Sequence, residues 1–226
     1  EFSVLQDKCA MKIGTDGVLL GAWVDLSNCD HILDIGTGSG IISLMCAQRS
    51  NASIHALEID KDAWLQCCEN FTGSPWSDRL TASHLNFNQF QCGQHYDVVI
   101  SNPPFHSETS RSPVHNRTVA RHSYSLHWRH IIEKSMALLS ENGMIVLILP
   151  YNQLKEVLHF ISAKKGYVKR ICQVITRKGK TPKRFMMEIG LKQCTTIQEQ
   201  ITIEVNGRHD YSEKYKNLTK DFYLHF

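Results

Sequence analysis

Long hydrophobic runs are missing from this 226-residue chain: the longest, Met144 to Leu149, is far too short to cross a bilayer. No charged-then-apolar leader opens it, so a soluble, cytoplasmic protein is expected. An excess of one charge is missing as well. The formal net charge of +3 neither demands nor excludes nucleic acid, because a local basic patch matters more than the total. Cysteine is present, at 9, 29, 46, 67, 68, 92, 172 and 194, but never as C-x-x-C and with no histidine pair at ligand spacing. That argues against a disulfide framework and against a metal site, and it suits packed, reduced thiols. Repeats, low-complexity tracts and linkers are absent too. With 42% apolar residues the chain can fill one sizeable core, so a single domain over 1–226, acting as a monomer, is the economical reading.

What is there alternates. Strand-like apolar runs stand at His31–Ile35, Ser53–Glu58, Leu80–Leu85, Tyr96–Ser101, Met144–Leu149, Val168–Ile175 and Phe185–Leu191. Helix-period segments separate them at Gly40–Arg49, Lys61–Asn70, Trp128–Leu139 and Gln153–Lys165, and Ile201–Val205 can add a short edge strand. Strands alternating with helices predict an α/β fold: a doubly wound, mostly parallel seven-stranded sheet of Rossmann-like type. Lys178 to Arg184, between the last two strands, reads as an exposed basic hairpin loop.

In such a sheet the ligand lies outside the carboxyl ends of the strands. Asp34-Ile35-Gly36-Thr37-Gly38-Ser39-Gly40 makes a glycine-rich turn after the first strand, where backbone can approach a ligand. A dinucleotide fingerprint would read G-x-G-x-x-G. The closer third glycine and the preceding acid are more typical of S-adenosylmethionine sites, which hold no pyrophosphate. Glu58 ends the next strand, 22 residues after Gly36, where a carboxylate can accept from both ribose hydroxyls. Asn86 follows the third strand, where related enzymes often carry an acid against the cofactor adenine. Lys12 and Thr15, ahead of the first strand, are placed to close over the methionine end.

The most informative tetrapeptide is Asn102-Pro103-Pro104-Phe105, directly after the strand Tyr96–Ser101. An exocyclic amino nitrogen is a poor nucleophile because its lone pair is delocalised into the ring. Two acceptors aimed at its hydrogens favour a pyramidal nitrogen, and the Asn102 side-chain oxygen and Pro103 carbonyl are the natural pair. The prolines stiffen the turn, and Phe105 can stack on the base. Together with the glycine turn, in this order, the pattern resembles S-adenosylmethionine-dependent methyltransferases that modify exocyclic nitrogens.

A narrower resemblance covers nearly the whole chain. Lys8-Cys9-Ala10-Met11-Lys12-Ile13-Gly14-Thr15-Asp16-Gly17-Val18-Leu19-Leu20-Gly21-Ala22-Trp23 is similar to the N-terminal signature of the bacterial valine-tRNA adenine-N6 methyltransferases. The likeness continues through the glycine turn, Asn102 to Phe105, Arg117 to His122 and Pro182-Lys183-Arg184. It implies a class I S-adenosylmethionine methyltransferase acting on the adenine beside a tRNA anticodon. It also implies cofactor contacts at Asp34, Gly36, Thr37, Gly38, Gly40 and Glu58, and target-base contacts at Asn102 to Phe105. Arg117, Arg121, Lys180, Lys183 and Arg184 are the expected RNA contacts. The rivals are a ribosomal-RNA guanine-N2 methyltransferase, an NAD dehydrogenase and a non-catalytic RNA-binding module.

Overall fold

Period-two alternation decides which way each strand's side chains go. In β1 (His31–Ile35), Ile32 enters one core and Leu33 and Ile35 the other. The same split recurs in β4 (Tyr96–Ser101), where Val98 and Ile100 oppose Val99. In β5 (Leu139–Pro150), Val146 and Ile148 oppose Ile145, Leu147 and Leu149. A sheet apolar on both faces must be covered on both. The computed structural model, which describes residues 2–104 and 126–223, covers it with helices.

The remaining strands are β2 (Ser53–Glu58), β3 (Leu80–His84), β6 (Tyr167–Arg177), β7 (Arg184–Gly190) and β8 (Ile197–Glu204). Helices are α1 (Thr15–Trp23), α2 (Ile41–Arg49), α3 (Lys61–Thr72), α4 (Trp128–Met136), α5 (Leu154–Ala163) and α6 (Glu213–Thr219). One core joins the sheet to α1, α2, α3 and α6 through residues such as Leu19, Leu44, Phe71 and Tyr215. The other joins it to α4 and α5 through Ile131, Ile132, Val157 and Ile161. Trp128, buried at 4% exposure, anchors α4 as core.

Strand order is β3-β2-β1-β4-β5-β7-β6-β8, with β7 antiparallel to both neighbours and every other pairing parallel. After β3 the chain crosses back, so β4 pairs with β1 on the side opposite β2. That reversal makes the carboxyl ends of β1 and β4 the crevice where a ligand fits.

Four expectations need correcting. The described sheet has eight strands rather than seven, because Ile197–Glu204 pairs in parallel with β6 along its length. The helix expected to reach Leu139 stops at Met136, and β5 begins at Leu139, which pairs with Tyr96. Gly143, expected to follow the end of a helix over Trp128–Leu139, lies inside β5 as a close-approach glycine: a Cβ there would meet the Tyr96 carbonyl at 2.6 Å. The helix expected from Gln153 to Lys165 runs only from Leu154 to Ala163, and Lys165, at φ 58°, takes the left-handed turn out of it. No helix among the described residues is long and apolar enough to cross a membrane.

Candidate active site

The glycine turn begins where β1 ends. Gly36, Gly38 and Gly40 have φ of 71°, 59° and 84°, the left-handed region that L side chains rarely adopt. Their backbone is tied to the end of β2: the Gly36 and Thr37 amides donate to the Leu57 carbonyl at 2.8 and 3.1 Å. The Gly40 amide returns to Thr37 O, and α2 then starts with Leu44 N donating to Gly40 O. A Cβ on Gly38 would meet nothing within 4 Å, so the turn leaves an open cradle there.

Asp34 supports this turn from within. It is fully buried, and its Oδ2 accepts the hydroxyls of Thr37 and Ser43, each at 2.7 Å. Its Oδ1 is buried with no partner among the described residues. Burial drives its pKa up to about 6, against the opposing effect of the two hydroxyls. The open site is therefore not where Asp34 sits; the carboxylate is a buried strut of the turn.

Glu58 is held more tightly than its sequence position implies. Oε2 accepts the Gly38 amide at 2.8 Å, and Oε1 accepts those of Ile59 and Asp60 at 2.8 and 2.9 Å. Three backbone donors fix the carboxylate and leave further lone pairs for a diol. Ile59, 40% exposed beside it, is an apolar surface that sequence reasoning missed. An isoleucine lodged between two acids where a strand ends was the available signal. The Asn86 side chain accepts from Asn88 N at 2.9 Å and caps a short turn, so its oxygen is already engaged. The exposed Lys12 donates to the carbonyls of Gln6 and Asp7, within its own segment, rather than reaching the glycine turn. Thr15 is the exposed first residue of α1.

Across the crevice, Ser101 ends β4 and donates its hydroxyl to Ile35 O at 2.7 Å, clasping the two strand ends together. Asn102 follows. Its Oδ1 is buried and has no hydrogen-bond partner among the described residues. Its Nδ2 faces α1, 3.8 Å from where a Cβ on Gly17 would lie. A buried amide oxygen left unpaired costs free energy, about 1–3 kcal/mol, and such orphans gather where a ligand completes the bonding. Pro103 is buried and Pro104 half-buried behind it. Phe105, Arg117 and Arg121 lie outside the described residues.

Lys180 and Lys183 are exposed on the β6–β7 hairpin, at the same end of the sheet as Asn102. Arg184, beside them and half-buried, donates its Nε to Asp16 Oδ2 at 2.9 Å and its Nη1 to Lys183 O. The residues present fit S-adenosylmethionine: an open left-handed glycine cradle, a fixed carboxylate, and an orphan acceptor where the methyl's recipient would sit.

The methyltransferase small domain model matches residues 13–176. The tRNA1(Val) (adenine(37)-N6)-methyltransferase of Christiangramia forsetii is 43% identical over 230 residues, covering 99% of this chain and 95% of that protein. The protein of the same name from Bacteroides thetaiotaomicron is 42% identical over 227 residues, covering 100% and 95%. Among solved structures, a predicted O-methyltransferase from Agrobacterium tumefaciens superposes with a TM-score of 0.69 at 16% identity, covering 91% of this chain and 96% of that one. A putative class I S-adenosylmethionine-dependent methyltransferase from Listeria monocytogenes gives 0.58 at 15% identity, covering 91% and 66%. At such identities the structural likeness carries the fold alone.

Proposed function

This chain belongs to the tRNA1(Val) (adenine(37)-N6)-methyltransferases, and from that premise we propose how its residues divide the work. The enzyme uses S-adenosylmethionine to methylate N6 of adenine 37 in tRNA1(Val). When bound, the cofactor supplies a methyl group already activated by a sulfonium. The heavy demand therefore falls on the acceptor nitrogen, whose lone pair is delocalised into adenine.

Asn102 Oδ1 and the Pro103 carbonyl accept the two amino hydrogens. This favours a pyramidal nitrogen and aims its lone pair at the methyl. The observation that carries this assignment is the orphaned Oδ1 of Asn102, beside the glycine turn at the switch point. Phe105 stacks on the flipped base. The nitrogen sheds a proton after the methyl moves, when it is a strong acid and needs no dedicated base. Gly36, Thr37, Gly38 and Gly40 form the cofactor cradle, Asp34 braces it, and Glu58 receives the ribose. The Asn86 amide nitrogen reaches the adenine edge, its oxygen being engaged by Asn88, and Thr15 flanks the methionine end, which Lys12 reaches only on leaving the Gln6 and Asp7 carbonyls.

Lys180 and Lys183 contact RNA phosphates, joined by Lys178 on the same exposed hairpin, while Arg117 and Arg121 follow the catalytic turn. Residues 1–226 act as one domain, since β8 and α6 join the same sheet and core. The reading needs no metal. A monomer in the cytoplasm, where tRNA is modified, completes it.

The test is methyl transfer from labelled S-adenosylmethionine to unmodified tRNA, followed by nucleoside chromatography. Label is expected in N6-methyladenosine at position 37; label in N2-methylguanosine would refute the acceptor assigned here. Asn102→Ala should abolish transfer while S-adenosylhomocysteine affinity, read by calorimetry, stays within about twofold. Folding stability should not fall, because the variant removes a buried acceptor that had no partner. Lost cofactor affinity in that variant would sink this division of labour.

A further inference from the structure

We propose that the Asp16–Arg184 ion pair is a positioning device that holds the first turn of α1 against Asn102, keeping the amide oxygen aimed at the acceptor. It rests on the assignment of Asn102 made above. Arg184 is then a positioning residue and not one of the RNA contacts.

The first turn of α1 is poorly held by itself. Its N-cap, Gly14, has no side chain to cap with, and the opening helical bond, Val18 N to Gly14 O, is long at 3.4 Å. The far end is secured separately. Arg49 donates to Gly21 O and Val24 O at 2.7 and 2.9 Å. Arg170 packs over the Trp23 ring, 4.1 Å from its centroid, and donates to Trp23 O. What ties the near end to the sheet is Asp16, whose Oδ2 accepts from Arg184 Nε at 2.9 Å across 168 positions of sequence.

Arg184 is well placed for this. It opens β7 opposite Pro150 at the end of β5, and β5 lies beside β4. Its second bond, Nη1 to Lys183 O, fixes the guanidinium plane. The residue after Asp16 is Gly17, whose open side faces Asn102: a Cβ placed there would lie 3.8 Å from Asn102 Nδ2. The first turn of α1 thus borders the amide on its nitrogen side, and a shift of that turn changes the space in which the amide, with its Oδ1 unpartnered among the described residues, is oriented. Both partners of the pair are roughly 30% exposed, so the pair itself adds little to global stability. Its loss frees one turn of helix without unfolding the protein, because Arg49 and Arg170 still hold the other end.

The experiment compares Asp16→Asn, Arg184→Gln and the reversed pair Asp16→Arg with Arg184→Asp. Each single variant should lower kcat by roughly 10- to 100-fold, as misplacement of a reacting group does. The tRNA KM and the salt slope of tRNA binding should stay at wild-type values. The reversed pair should recover kcat to within about threefold of wild type, as coupled partners do. Amide hydrogen exchange on the free protein gives a second readout: the Val18 amide, donor of the opening helical bond, should exchange faster in both singles and return towards wild type in the reversal. An Arg184→Gln defect confined to KM and salt slope would overturn the proposal by making Arg184 an RNA contact. Unchanged kcat with unchanged exchange would overturn it by making the pair idle. Should the wild-type enzyme fail to methylate adenine, the assignment of Asn102 falls, and the exchange arm still decides whether the pair holds the turn.

Discussion

Asp34 carries a charge that the fold resists. With its carboxyl fully buried and pushed up to about 6 from the usual 3.8, the native state prefers it protonated. The sign follows: well below its ordinary value of 3.8 the group is neutral folded or unfolded and costs nothing. As pH rises from 4 to 6 the unfolded chain ionises first, so stability falls, levelling off above 6. A shift of that size corresponds to roughly 3 kcal/mol. Asp34→Asn keeps an acceptor for Thr37 and Ser43 and removes the charge. In urea denaturation its stability should exceed wild type at pH 7.5, with the two converging towards pH 4. Parallel curves across that range would show that the buried charge costs nothing. A destabilising carboxylate at this position makes sense where the ligand is a cation, since a negative charge beneath the turn favours it.

At the scale of elements, the glycine turn separates two kinds of constraint. Gly38 and Gly40 both have positive φ, but a Cβ on Gly38 meets open space. One on Gly40 would lie 2.7 Å from Phe71 Cε1 and 3.0 Å from Cys67 Sγ. Gly38→Ala should cost only the left-handed backbone strain, about 1–2 kcal/mol, and weaken cofactor binding by filling the cradle. Gly40→Ala should add a further 1–3 kcal/mol or so from overpacking against α3. Thermal melts with and without S-adenosylhomocysteine separate these: Gly38→Ala should lose most of the ligand-induced rise in Tm, whereas Gly40→Ala should show the lower apo Tm. The turn itself was legible because three glycines in five residues have few other uses. So were the central strands, whose β-branched runs sit between turn signals. Helix α1 was not, because Gly17 through Trp23 are all buried and a helix buried all round has no apolar stripe to count. Nor was α6, seven residues long and dependent on Tyr215 packing into the sheet. The start of β5 at Leu139 rather than Met144 was not legible, because Ser140 to Gly143 form no apolar run, and only the nearby Tyr96 carbonyl shows why a glycine is needed there.

For the whole molecule, strand order decides what lies beside what, and no local pattern encodes it. The glycine turn and Asn102 were each legible, and their meeting follows from the β1–β4 pairing. The roles of lysines and arginines were less legible, because a charge in sequence does not declare its partner. Arg184 faces Asp16, and Arg177 pairs with Glu204 at 3.2 Å, whereas Lys178, Lys180 and Lys183 are exposed on the hairpin between them. The hairpin rises at the carboxyl ends of β5 and β6, the end where Asn102 sits, two to three strands away. At about 4.8 Å per strand that is roughly 10–15 Å, within reach of phosphates flanking a base flipped into the site. Single-stranded RNA releases about 0.7 counterion per phosphate neutralised. Replacing all three lysines by alanine should therefore flatten the log–log salt dependence of tRNA binding by about 2 units, while kcat at saturating tRNA holds. Lys192 is the control: it follows β7 at the opposite end of the sheet and pairs with Glu141 at 2.7 Å, so Lys192→Ala should leave the slope alone. Equal slopes for wild type and the triple variant would take the hairpin out of the RNA interface. The phosphate contacts would then fall to the arginines that follow the catalytic turn.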